Sequence, residues 1–163
     1  MDHVDKILAQ WHRERPDLDV GPMGLLGRLN RLSRLVSRET EKTFANYGLT
    51  ASSFDVLATL RRSGPPYGLS PGDLLNTMMI TSGTMTNRID QLEKAGLVRR
   101  AQNPDDGRSV IISLTDKGFT LIEAAIADHV ATQARLTATL SPQDRETLTG
   151  LLRAFLGGVD EEG

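Results

Sequence analysis

Between Thr81 and Asn87 the chain sets small polar side chains close together: Thr81, Ser82, Thr84, Thr86 and Asn87, with Gly83 among them. Hydroxyl and amide groups of this size hydrogen-bond base edges and phosphates, and they let a helix backbone come close to both. Further on, Arg108 follows the turn run Asn103-Pro104-Asp105-Asp106-Gly107. A guanidinium at a hairpin tip is drawn into the negative potential of a minor groove, and Asp106 is placed to hold it there. Taken singly, each feature also fits an ordinary solvated surface.

Their setting is a particular series of elements. Ser70-Pro71-Gly72-Asp73 has the N-cap, first-position proline and acid that open a helix, and Leu74, Leu75 and Met78 give that helix an apolar side. A second helix is expected from Thr81 to Ala95, stopped by Gly96, with Met85, Ile89 and Leu92 as its buried stripe. Gly83, Asn87 and Lys94 then face outward, with Thr84 and Thr86 on the flanks. Residues 97–102 and 108–114 read as two strands of a hairpin, Val110, Ile112 and Leu114 alternating onto one face. Helix, turn, helix and hairpin outline a winged helix-turn-helix, whose second helix reads the major groove with its N-terminal residues.

The blocks Thr81–Arg100, Asn103–Arg108 and Leu114-Thr115-Asp116-Lys117-Gly118 resemble, in order and spacing, the MarR family of bacterial transcriptional regulators. The resemblance implies a homodimeric winged-helix protein that binds a pseudo-palindromic duplex DNA site, most often as a repressor released by a small ligand. It implies DNA contacts from Thr81, Ser82, Gly83, Thr84, Thr86, Asn87 and Arg108, with Asp106 supporting the wing. The tip carries Gly107 where many members have a basic residue.

A subset of that family responding to urate and similar small anions has a tryptophan on an added N-terminal helix, an acid before the helix-turn-helix, and an arginine in the recognition helix. Trp11, Asp55 and Arg88 match these marks and are the implied ligand residues. Thr59 stands where the subset has a further arginine, which leaves a related planar or carboxylate effector. Arg88 projects about 60° from the buried stripe, so it needs a carboxylate or anionic partner. Asp55 is one candidate. A ligand breaking that pair would move the helix; equally, the pair is purely structural and Trp11 only packs.

The chain has 163 residues, enough for one domain with its own core, and 39% of them are hydrophobic. With no cysteine, disulfides and cysteine-ligated metals are excluded, and the three histidines form no metal motif. No triad, phosphate-cradling loop or other catalytic signature is present, so an enzyme and a cofactor are not expected. No apolar run approaches the roughly 20 residues that span a bilayer, and Asp2, Asp5 and Lys6 interrupt any signal-peptide core, so a cytoplasmic protein is expected. The net charge of −2 argues against nonspecific coating of nucleic acid. It also keeps alive an alternative: a winged-helix module that binds protein and reads no DNA.

The expected architecture is mainly α with a small β-hairpin wing: residues 51–115 form the winged helix-turn-helix, and 1–50 and 116–163 are helical dimerisation regions. Residues 2–14 suit an amphipathic helix burying Val4, Ile7, Leu8 and Trp11 on one face. A long helix follows over 22–47, where Gly24 and Gly27 allow close approach and Arg28, Arg31, Arg34 and Arg38 line one face, salt-bridged or on phosphates. Thr50 caps a helix over 51–62, buried through Phe54, Val56, Leu57 and Leu60, with Asp55, Thr59 and Arg62 on the opposite face. Residues 63–68 read as a loop, and 116–136 as a helix burying Leu121, Ile122, Ala125, Ile126 and Val130. After Ser141-Pro142, Leu148, Leu151, Leu152, Phe155 and Leu156 form a stripe too wide for a lone terminal helix, which suggests a dimer interface.

Overall fold

A computed structural model describes residues 1–79, 85–103, 106–107 and 109–160. The chain divides into two compact units, residues 1–42 and 43–163.

In the first unit, α1 (His3–Glu14) is opened by Asp2, whose carboxylate accepts the N–H groups of Val4 at 2.7 Å and Asp5 at 3.0 Å. The Asp5 carboxylate accepts the Asp2 N–H at 2.7 Å, closing a capping box. α2 (Gly21–Ala45) begins here and ends in the second unit. Val4 and Leu8 of α1 sit over Gly27 and Gly24 of α2; a Cβ on Gly24 would lie 2.9 Å from Leu8 Cδ1. The two glycines therefore do admit a close approach. Arg28 pairs with Asp2 at 2.9 Å and Asp5 at 2.5 Å, so this member of the arginine row is salt-bridged. Trp11, expected on the buried face, is 40% exposed. The contact runs antiparallel, Val4 over Gly27 and Leu8 over Gly24, and Trp11 falls near the very start of α2, where less of the helix is left to cover it.

In the second unit α3 (Ala51–Arg62) is central. Thr50 caps it, its hydroxyl accepting the Ser53 N–H at 3.1 Å. Around it pack α4 (Pro71–Thr77), α5 (Met85–Lys94), α6 (Asp116–Thr137) and the strand β3 (Val110–Leu114). Phe54, Val56, Leu57 and Leu60 are buried as expected, but so are Asp55 and Thr59, expected on an open face. The cause is the central position: a helix with neighbours on several sides has no wholly wet face.

β2 (Val98–Gln102) and β3 form the expected hairpin. A further strand, β1 (Gly68–Leu69), pairs antiparallel with β3, giving the order β1-β3-β2 and correcting the expected loop. Gly68 lies opposite Ser113, and a Cβ there would stand 2.9 Å from Ile111 Cγ2. Ile112 and Leu114 are buried, whereas Val110, nearer the tip, is exposed. Leu75 and Val130, expected in buried stripes, are also exposed.

The start of α6 is docked on the turn between α5 and β2. Thr115 caps α6, its hydroxyl accepting the Gly118 N–H at 3.0 Å and donating to Gly96 O at 2.6 Å. The Thr115 N–H donates to Leu97 O at 3.1 Å, and Lys117 Nζ donates to Ala95 O at 2.7 Å. Gly96 makes the turn with φ +73°, a left-handed conformation that suits glycine. Gly118 sits so close to it that a Cβ would fall 1.9 Å from Leu97 O.

His129 of α6 packs against both Phe44 and Phe54, which stack on each other at 4.2 Å, with ring centroids 5.1 and 5.0 Å away. Its Nδ1 is buried with no hydrogen-bond partner among the described residues. Burial pushes its pKa below the ordinary imidazole value. Below about pH 6.5 the unfolded chain takes a proton here that the folded chain resists, so stability is retained above that pH and falls as pH drops beneath it. Urea unfolding at pH 7.5 and 5.5 checks this: the midpoint should drop at the lower pH, and by less in His129→Phe. Equal drops would remove His129 as the cause.

α7 (Pro142–Asp160) opens as the sequence predicts, with Asp144 N–H donating to Ser141 Oγ at 3.1 Å. Its Leu148, Leu151, Leu152, Phe155, Leu156 and Val159 are all exposed in the single chain. Among the described residues no helix is long and apolar enough to cross a membrane.

Candidate nucleic-acid interface

The helix-turn-helix rests on α4. Ser70 caps it, the hydroxyl accepting the Asp73 N–H at 3.1 Å and donating to the Asp73 carboxylate at 2.7 Å. Leu74 and Met78 anchor it in the core. At its far end Arg62, on α3, donates a hydrogen bond to Thr77 O, satisfying a carbonyl that a helix C-terminus leaves open.

α5 is fixed by its buried side, Ile89 and Leu92, with Met85 half-buried. Asn87 on the outward face and Thr86 on its flank are both exposed, as a groove-reading face requires, and Lys94 is exposed at the other end. Thr81, Ser82, Gly83 and Thr84 lie outside the described residues.

The wing stem is regular. Arg99 is paired with Ser113 and Arg100 with Ile112 across the two strands, and Arg99 Nε donates to Ser113 Oγ at 3.2 Å. The tip is closed by Asn103 N–H donating to Ser109 O at 2.9 Å, and by Ser109 N–H donating to Asp106 O at 2.9 Å. Asp106 and Gly107 are exposed there. Arg108 lies outside the described residues.

Two interactions here have no counterpart in the sequence reading. One is the Arg62 bond to the end of α4. The other is Arg100, whose guanidinium binds both Asp90 and Glu93 of α5. The signal for the second was present, since two acids three apart on one helix are followed by a basic strand residue. A turn intervenes, however, and no local spacing rule crosses it.

Of the three candidate ligand residues, Trp11 belongs to the first unit and is exposed. Asp55 and Arg88 belong to the second. Asp55 is 6% exposed, and its carboxylate lies 4.0 Å from Arg62 Nη1. Arg88 is half-buried, as its position on α5 predicts. Among the described residues no group of three metal-ligating side chains occurs.

Comparison with known proteins gives the same architecture. The MarR family model matches residues 49–110. The chain is 48% identical over 158 residues to the transcriptional regulator PecS of Dickeya dadantii, covering 97% of this chain and 93% of that one. Among solved structures it is similar to BpsR of Bordetella bronchiseptica, whose DNA binding is regulated by 6-hydroxynicotinic acid. There the TM-score is 0.69 and the identity 26%, over 79% of this chain and 90% of that one. The fold is shared with Sco3205 of Streptomyces coelicolor, solved with DNA: TM-score 0.76 at 22% identity, over 86% of this chain and 89% of that one.

Proposed function

This chain belongs to the MarR family of transcriptional regulators, and from that premise we propose that it is a homodimeric repressor, released from a pseudo-palindromic operator by a small anionic or aromatic ligand. The observation carrying the DNA reading is α5: its core side is locked by Ile89 and Leu92 while Thr86 and Asn87 are presented outward beside the wing. The same reading assigns DNA contacts to Thr81, Ser82, Gly83, Thr84 and Arg108, which lie outside the described residues, with Asp106 as the support of the wing. The exposed apolar side chains of α7 supply a surface for a second copy. The ligand residues of this reading are Trp11, Asp55 and Arg88; the half-buried arginine favours a planar acid, which would compete with carboxylates for its guanidinium.

A gel shift of the protein on its own upstream DNA tests this, with and without urate, salicylate and 6-hydroxynicotinic acid. A discrete complex dissolved by one acid supports both halves of the proposal. A complex indifferent to all of them keeps the regulator and removes the effector class. No complex, even after selection from random DNA, favours a protein-binding winged helix. Arg108→Ala is expected to weaken operator binding by roughly tenfold or more, as loss of a groove contact does. Unchanged affinity would remove Arg108 from the interface.

A further inference from the structure

The geometry points to Arg100 as the positioning residue that sets the angle of α5 against the wing. Its guanidinium forks, one Nη on Asp90 and the other on Glu93. Its own backbone N–H donates to the second-bound acid, Glu93 Oε1, at 3.0 Å. Main chain and side chain of one strand residue thus grip the same helix, which fixes register as well as distance. A planar, five-donor guanidinium holds both acids in one fixed fork, whereas an ammonium is a point charge that imposes no such geometry.

The grip matters because, beyond the buried Ile89, the side of α5 toward the wing is only partly packed. Between α4, α5 and the wing is a mostly apolar hollow of about 450 Å³, lined by Leu75, Met85, Ile89, Val110, Ile112 and the stem of Arg100. Close-packed side chains hold an element in one place, and an empty volume does not. The half of α5 that carries Thr86 and Asn87 borders this hollow, since Met85, Thr86 and Ile89 all line it. Without the fork, that half can lean toward the wing and carry its reading face with it.

The three charged groups are all partly exposed. Such pairs contribute little to overall stability. Removing the arginine should therefore loosen one helix without unfolding the unit. The fork also neutralises two carboxylates on the helix that must approach phosphates, but neutralisation alone would not hold an angle.

The test uses the full chain and Arg100→Met, which keeps the stem and removes the fork. Amide hydrogen exchange of residues 86–94 is expected to quicken about tenfold while α3 and α6 keep their protection. Uniform loss of protection, or no change in α5, overturns the proposal. Operator binding is the second readout and rests on the function proposed above: Arg100→Met should bind about tenfold more weakly. Arg100→Lys, charged but unforked, should recover only part of this, and it carries the same exchange test if the methionine variant does not fold. The variant Asp90→Asn/Glu93→Gln/Arg100→Met separates angle from charge: full recovery of affinity overturns positioning. If α5 loosens but wild type binds no DNA, the regulator reading fails and the positioning role stands.

Discussion

Gly118→Ala is expected to lower the stability of the protein by about 3 kcal/mol, at the upper end of what overpacking costs. The methyl carbon would fall 1.9 Å from Leu97 O, with the carbonyl carbon at 2.9 Å. These are backbone atoms, and a rotamer change cannot clear them. Either α6 lifts from the turn or the turn moves. Both responses disturb the bonds that gather here: Thr115 to Leu97 O, Thr115 to Gly96 O and Lys117 to Ala95 O. For a chain of this size the corresponding fall in melting temperature is about 6–12 °C. Thermal unfolding followed by circular dichroism checks it. A fall under about 2 °C would mean that the helix start slides at little cost.

The second large effect is on assembly. Leu151 is 64% and Phe155 40% exposed within the chain, so glutamates at both positions leave the chain's own core untouched. On the proposed dimer they would bring unpaired carboxylates into an apolar contact. Leu151→Glu/Phe155→Glu should elute as a monomer where the wild type elutes as a dimer, with unchanged helical content. It should bind the operator about 100-fold more weakly, because two half-sites no longer engage one particle. An intact dimer in the double variant would place the interface elsewhere.

Much of the fold is legible from local chemistry. Thr50, Ser70 and Ser141 announce helix starts because an N-cap acts within three residues and needs no tertiary partner. The stripes Phe54–Leu60 and Ile89–Leu92 are read correctly because a helix with one covered side repeats its apolar residues. Asp55 and Thr59 mislead for the complementary reason: α3 is covered on several sides, and periodicity reports only one. β1 escapes because two residues hold no alternation to detect. Trp11 is misplaced because helical spacing names the apolar face of α1 and says nothing of how completely a neighbour covers each position along it. Within the interface, the outward turn of Thr86 and Asn87 follows from spacing alone, whereas the Arg100 fork depends on how a strand returns across a helix.

The wing leaves and re-enters the body at a single place. Val98 faces Leu114 at its base, and the Thr115 N–H closes onto Leu97 O just below. What lies beyond Gln102 is thus a cassette mounted on a finished joint. Doubling the length of such a loop adds only about 0.6 kcal/mol of closure entropy. A longer or differently charged segment between Gln102 and Val110 therefore costs the core little, and on the proposed DNA reading a preference for one operator over another can drift through this segment while the rest of the chain is held constant.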